Sequence, residues 1–404
     1  MIVIVALPMT KTAQSPLKIM MIAGEASADL HGAELVKELR QRCPIETCGV
    51  GGPLMRQAGF EANFPAEAIS VAGLTEVIKA LPRLIRMLSD LVQIAETEKP
   101  DIIVLIDLPD FNLRLAQRLK RRGFKVVYFI SPQIWAWRRR RIKLIRKYVD
   151  RMLVILPFEE EFYSSHNVNV DFVGHPLVEE MHEVMSRSDA RQYFDIDKEA
   201  KVIALLPGSR QQEVVKLLPI MMESFSQLRR SHPQLIGLIP VASTLKQDWL
   251  RAQAGTQSLE GIRLIDEHAS EAIRAADVAI VCSGTSTLQT ALLNTPMVIG
   301  YRVSWLTFAI LRRLVKVAHI GLVNLIAKHR LVPELLQHEF SATRVTEEIT
   351  PLLSPGEERE KMLSGFKKLR QSLGEPGVAA RVVTILLKEC AGSVETEKAN
   401  VGQP

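Results

Sequence analysis

Short apolar runs ending near glycine or proline recur along the chain, with amphipathic stretches between them. LKIMMIAG, DIIVLIDLPDF, FKVVYFISP, RMLVILPF and VDFVGHP are the runs of the first half. Runs this short and this continuously apolar predict strands buried on both faces of a parallel sheet. Between them, residues 29–42 carry helical spacing, and NLRLAQRLKRRG predicts a helix closing at Gly123. The pattern restarts at KVIALLPGSR with a helix over about 213–231, and continues through LIGLIPVAS, GIRLIDE, DVAIVCSG and PMVIGY. The polar segment EEMHEVMSRSDARQYFDIDKEAK between the halves reads as a linker or interdomain helix, and 357–390 as a last helical stretch before a frayed tail. The expected fold is therefore α/β: Rossmann-like domains over 1–185 and 186–355, then a C-terminal helix and tail over 356–404. Open parallel sheets bind ligands at the carboxyl ends of their strands, so a cleft between two such domains is the expected site.

A length of 404 residues agrees with two cores. Aromatic residues make up only 5% of the chain, which leaves no stacking platform for single-stranded nucleic acid. The net charge of +6 fits phosphate-bearing substrates, anionic lipid or nucleic acid. Cys43, Cys48, Cys282 and Cys390 show neither C-x-x-C spacing nor an accompanying histidine cluster, so no metal site or disulfide framework is expected. The start, MIVIVALPMTKTAQSPLK, lacks a basic region before its apolar run and reads as a poor secretory signal. The longest apolar stretch, 69–94, is broken by Glu76, Lys79, Arg83, Arg86 and Asp90, too many charges for a membrane span.

Five loops can carry chemistry. AGEASADLHG places Glu25 and Ser27 where a strand gives way to a helix, and helix N-termini favour anions. In IDLPDFN, Asp107 follows a very apolar strand, where a carboxylate with a raised pKa can act as a general base; Asp110 or Asn112 would serve as a helix cap. SPQIWAWRRRRIKLIRK sets seven cations behind Trp135 and Trp137. That run is either a solvated helix face or a surface for phosphate or lipid headgroups, with Trp137 and Arg138 as its contacts; duplex nucleic acid is a further option, with no recognition motif beside the patch. LLPGSRQQEV brings Gly208, Ser209 and Arg210 to a strand end, a backbone approach and a guanidinium suited to phosphate. VCSGTSTLQ opens a helix with Ser283, Gly284, Thr285 and Ser286, a candidate pyrophosphate cradle. Between Asp277 and Glu334 there is no acidic residue, while Arg302, Arg312, Arg313, Lys316, Lys328 and Arg330 all fall there with Trp305 and Phe308. This stretch and VAGLTEVIKALPRLIRMLSDLV are candidate lipid-facing segments.

These loops, in this order, resemble the lipid-A-disaccharide synthase family (glycosyltransferase family 19). The resemblance runs from about residue 18 to 387 and rests on AGEASAD, GGPLM, IDLPDFN, SPQIWAWRRRR, LPFE, GHPL, LLPGSRQQEV, SGTSTLQ, MVIGYR and NLIA-x-x-x-LVPELLQ. It implies a GT-B fold, two Rossmann-like domains facing across a cleft. It also implies inverting transfer of 2,3-diacylglucosamine from UDP-2,3-diacylglucosamine to the 6-hydroxyl of 2,3-diacylglucosamine 1-phosphate. By the same resemblance Asp107 is the catalytic carboxylate, Ser209 and Arg210 contact the donor phosphates, and the SGT loop, Gln289 and Asn324 belong to the UDP site. Glu25, Ser27 and the IWAWR run fall on the acceptor side. No obligatory metal or other cofactor and no nucleic acid are implied. The implied location is the cytoplasmic face of the bacterial inner membrane, as a peripheral protein on an anionic surface, with a homodimer as one option for its assembly. The sequence departs from the family pattern at Ala28 and Lys328, both usually glycine, at Val323, usually proline, and at Gln289, usually glutamate. The competing readings are a UDP-sugar 2-epimerase, a transferase acting on polyprenyl-linked sugars, and a non-catalytic UDP-sugar or phospholipid binding protein.

Overall fold

The protein is described by a computed structural model at residues 15–69, 74–253, 259–305, 308 and 318–401, with the backbone alone at 74–80 and 392–401. It divides into two compact units, one of residues 1–176 with 376–404 and one of residues 177–375. The change of unit thus falls at 176/177, against 185/186 in the sequence reading, and the last helix is grouped with the first unit.

The first unit holds a parallel sheet with strands β1 (Leu17–Ala23), β2 (Ile45–Gly51), β3 (Phe64–Pro65), β4 (Ile102–Ile106), β5 (Val126–Phe129), β6 (Arg151–Val154) and β7 (Val170–Phe172). Their spatial order is β3-β2-β1-β4-β5-β6-β7. Successive residues of a strand point to opposite faces, and both faces are covered. Ile19, Met21 and Ala23 of β1 join Ile102, Val104 and Ile106 of β4 in one core, which takes in Leu35, Val36 and Leu39 of the helix Ala26–Arg42. Met20, Ile22, Ile103 and Leu105 enter the opposite core, beneath Leu88 and Leu91 of the helix Leu74–Glu98 and Leu115 and Leu119 of the helix Pro109–Lys120. The stretch expected as one last helix splits at residues 373–377 into Glu357–Ser372 and Val378–Val401. Val382, Val383 and Leu386 of the second piece are buried in the core with β1 and β4. Full burial of each such side chain contributes roughly 1.5–3 kcal/mol.

The second unit repeats the design with β8 (Val202–Leu206), β9 (Ile236–Val241), β10 (Ile262–Asp266), β11 (Val278–Cys282), β12 (Met297–Tyr301) and β13 (Glu334–Leu336), in the order β10-β9-β8-β11-β12-β13. In each sheet the chain winds outward one way, then returns to wind the other. The strand order reverses between β1 and β4 in the first and between β8 and β11 in the second, and within each unit the two loops leaving those strands flank a crevice. All four loops are among those singled out in the sequence, for Glu25 and Asp107 in the first unit and for Arg210 and the SGT segment in the second.

Candidate active site

Asp107 sits at the carboxyl end of β4, half-buried, and both it and Leu108 adopt left-handed backbone with φ of 50° and 51°. Non-glycine residues avoid this region, at roughly 1–3 kcal/mol each, and hold it only where surrounding bonds dictate it. Those bonds are present. Asp107 N donates to Phe129 O at 3.0 Å, and its own carbonyl accepts from Tyr128 Oη at 2.5 Å and from Asn112 Nδ2 at 2.8 Å. Asn112 also donates to Ile106 O at 3.2 Å. Ile130 (φ 65°) at the end of β5 and Arg138 (φ 57°) add two further left-handed residues to this side of the sheet.

The electrostatics suit a proton acceptor. Burial, then the negative charge of Glu25 on the loop after β1, push the Asp107 carboxyl up to about 6, against a smaller opposing pull from the Leu108 N–H. A carboxylate there is ionised at neutral pH yet basic enough to take a proton. Ser27, beside Glu25, is exposed, whereas Asp29 is buried and accepts from the N–H groups of Gly52, Leu54 and Met55 at 2.8–3.0 Å. Asp29 therefore caps the short helix Pro53–Gln57, with both carboxylate oxygens engaged by backbone N–H groups.

Neither Asp110 nor Asn112 caps the helix Pro109–Lys120, whose N-cap, Leu108, makes no side-chain cap bond. Asn112 reaches back to carbonyls instead. Asp110 pairs with Arg138 at 3.0 Å and with Arg141. Burial opposes its ionisation, but the hydrogen bonds and charges of these two arginines hold it below the usual carboxylate range. The two tryptophans separate. Trp135, expected at the phosphate-facing surface, is a core residue, packed edge-on against Phe158 with ring centroids 4.8 Å apart. Trp137 is 42% exposed and carries the Arg138 guanidinium 4.3 Å from its ring centroid. The Arg138 guanidinium, shared between this ring and Asp110, is still 44% exposed and so accessible to an anion. Pattern reading missed Tyr128 and Glu159. The signals were a tyrosine inside an otherwise apolar strand and a carboxylate two residues after Pro157, which opens the helix Pro157–Ser164.

In the second unit, Gly208 has φ 110°, and a Cβ there would lie 2.9 Å from Glu213 Cβ. Only glycine fits. Ser209 and Arg210 are exposed. Ser209 O accepts from Thr244 Oγ1 at 2.7 Å, and Arg210 keeps 83% of its side chain open while pairing loosely with Glu213 at 3.4 Å. Such an exposed pair is weak, so the guanidinium is free to turn to an anion. Opposite, the helix Thr285–Leu292 begins at exposed Gly284 and Thr285, where first-turn N–H groups lack intrahelical partners. Ser283 Oγ donates to Ile320 O at 3.4 Å. Gln289 lies one turn on, with Nε2 donating to Ser270 Oγ at 2.8 Å.

Asn324 does not fit its expected place as a donor contact. It is fully buried, with Nδ2 donating to Val332 O and Glu334 Oε1, and Oδ1 accepting from Leu331 N and Val332 N, all at 2.7–2.9 Å. Every donor and lone pair of the amide is committed to its own chain. Glu334 in turn accepts from Ile320 N and Gly321 N at the start of the helix Leu322–Ala327. Asn324 thus holds the segment on which Ser283 rests. Arg312, Arg313 and Lys316 of the acid-free stretch lie outside the described residues.

The comparisons with known proteins bear on the family and the fold. The chain is 45% identical over 371 residues to the lipid-A-disaccharide synthase of Anaeromyxobacter dehalogenans (strain 2CP-C), covering 92% of this chain and 97% of that one. Among solved structures it is similar to the UDP-GlcNAc 2-epimerase of Neisseria meningitidis bound to UDP-GlcNAc (TM-score 0.65, 14% identity, 92% and 100% covered). It is also similar to the calicheamicin glycosyltransferase CalG4 (TM-score 0.58, 14% identity, 94% and 99% covered). Identities that low carry the fold alone, the two-Rossmann GT-B arrangement. The family model described as lipid-A-disaccharide synthetase matches residues 19–383, and with it the chain belongs to the lipid-A-disaccharide synthetase family.

Proposed function

We propose that this protein is an inverting hexosyltransferase that moves 2,3-diacylglucosamine from UDP-2,3-diacylglucosamine to the 6-hydroxyl of 2,3-diacylglucosamine 1-phosphate. The products are the β-1′,6-linked disaccharide and UDP. The observation that carries the reading is Asp107, a half-buried carboxylate raised to about 6 at the reversal point of its sheet. In the step, the acceptor hydroxyl oxygen bonds to the anomeric carbon while the bond from that carbon to the UDP oxygen breaks, its electron pair leaving with UDP. The hydroxyl proton passes to the Asp107 carboxylate. Gly208, Ser209, Arg210, Ser283, Gly284 and Thr285 take the UDP phosphates, with Gln289 toward the ribose. The exposed guanidinium and the helix N-terminus stabilise the charge that grows on the leaving group. Glu25, Ser27, Trp137 and Arg138 serve the acceptor, and Arg138 suits its 1-phosphate.

Acylated substrates reside in a bilayer, and the reading includes peripheral attachment at an anionic surface. No helix among the described residues is long and apolar enough to cross a membrane. Exposed apolar side chains beside cations support shallow insertion: Leu81 and Ile85, four apart on one helix among Arg83 and Arg86, and Trp305, 80% exposed near Arg302. The direct test is incubation with both acylated sugars and mass analysis of the product. Appearance of the disaccharide with stoichiometric UDP is expected; release of a free or epimerised sugar without disaccharide would overturn the reading.

A further inference from the structure

The side chains that hold Asp107 are as unusual as Asp107 itself. Tyr128 lies in the middle of β5 and is fully buried, with its hydroxyl on Asp107 O. Asn112 is also fully buried, and its Oδ1 has no partner among the described residues. A buried amide with an unmet acceptor is a poor choice for a core, where an apolar residue of the same shape would be tolerated better. What Asn112 supplies is Nδ2, bridging the carbonyls of Ile106 and Asp107. Two donors on different elements, a strand and a helix, thus converge on one carbonyl at the bend between β4 and the next helix.

We propose that Tyr128 and Asn112 are positioning residues for the transfer reaction: by gripping the carbonyl of the Asp107–Leu108 peptide they fix its plane, and with it the direction of the Asp107 carboxylate. The inference rests on Asp107 being the proton acceptor. A peptide unit is planar, so holding its C=O also sets where its N–H points. The Leu108 N–H of this unit favours the charged form of the Asp107 carboxylate. Donation to the C=O polarises the unit and strengthens its N–H as a donor. The grip therefore does two things: it maintains two adjacent left-handed residues, and it offsets part of the penalty that burial and Glu25 place on the ionised carboxylate. Glu25 faces Asp107 from the loop after β1, while Tyr128 is faced by Asp107, Asp110, Arg141 and Tyr163.

The test compares Tyr128→Phe, Asn112→Ala and Asp107→Asn in the full chain, reading kcat against pH with both acylated substrates saturating, and UDP affinity by calorimetry. Tyr128→Phe removes only the hydroxyl and leaves Asp107 O bonded to Asn112, so it folds; a thermal melt verifies this. Expected is a fall in kcat of about ten-fold, on the order of one lost hydrogen bond. The acid limb moves to higher pH and UDP affinity does not change. Asn112→Ala, where it folds, moves the limb the same way. A lowered kcat with an unmoved acid limb, or no effect at all beside an inactive Asp107→Asn, would overturn the positioning role and leave Asp107 standing. Wild-type turnover in Asp107→Asn would instead remove the assignment of Asp107 on which the inference rests.

Discussion

The indole N–H of Trp135 donates to Glu159 at 3.0 Å, and both side chains are buried. Glu159 also accepts from Leu156 N at 3.2 Å, so the carboxyl ties the loop after β6 to the segment that leads into the basic run. Arg138 and Arg141 of that run close on Asp110, three residues beyond Asp107. A buried contact thereby anchors the segment from which the cations reach Asp110.

Burial pushes Glu159 up to about 7 from an ordinary 4.5, in spite of its bonds to Trp135, Leu156 and Ser131. The folded state therefore holds a proton there that the unfolded chain loses, and stability falls as pH rises through the window between those values. Glu159→Gln cannot lose that proton. Its stability relative to the native protein should rise between pH 5 and pH 8, by up to about 3 kcal/mol. Denaturant melts at the two pH values check this; identical pH dependence in both proteins would mean that Glu159 is not protonated in the fold.

For Asp107 the sign runs through activity. Its carboxyl must be ionised to accept a proton, so kcat should fall below a limb near pH 6. Glu25 is the like charge that raises that value. Glu25→Gln should carry the limb to lower pH, the direction opposite to that expected for Tyr128→Phe. Asp107→Asn should cost on the order of 10²–10⁴ in turnover with UDP binding intact. A limb that stays put in Glu25→Gln would show that the two carboxylates do not interact in the working enzyme.

The strands that read clearly in the sequence are those whose residues are buried on both faces, such as Ile102–Ile106, every one of them fully buried. The runs Ile45–Gly51 and Glu334–Leu336 did not read as strands, because glycine, threonine and glutamate dilute the first and the second is three residues long. Loop positions were legible from chemistry: Asp107 directly follows the apolar run of β4, and Arg210 lies four residues past β8 at the N-cap of the next helix. Partners were not. That Asn324 spends all its hydrogen bonds internally, and that Trp135 turns inward while Trp137 turns outward, depends on residues distant in sequence. Lys328 shows the limit of a pattern departure: it stands where the family usually has glycine and adopts the left-handed φ of 61° that glycine would take.

Membrane attachment should depend on both charge and apolar side chains. Binding to anionic vesicles should weaken substantially between low and high salt, because exposed cations are screened within about 10 Å at 0.1 M. Trp305→Ala should weaken binding at every salt concentration, because an 80% exposed indole is lost from the interface. Vesicle co-sedimentation measures both. Equal binding to neutral and anionic vesicles at all salt concentrations would dismiss the electrostatic part.

Gln289 offers the sharpest test of the donor side. It follows the Ser283–Thr285 turn by about one helical turn, a distance at which a side chain reaches past a pyrophosphate toward the ribose. Its Nε2 donates to Ser270 Oγ at 2.8 Å, which fixes the amide and leaves Oε1 as the acceptor for a sugar hydroxyl. A carboxylate accepting from a hydroxyl makes a bond roughly twice as strong as a neutral amide does. In Gln289→Glu, Ser270 can reverse its hydroxyl and donate, so the side chain keeps its place while gaining charge. UDP should then bind tighter by about 1 kcal/mol, a several-fold drop in Kd, with single-turnover rates nearly unchanged. Titration calorimetry decides the matter: unchanged or weaker UDP binding would mean that Gln289 serves only to tie its helix to Ser270, and that the ribose lies elsewhere.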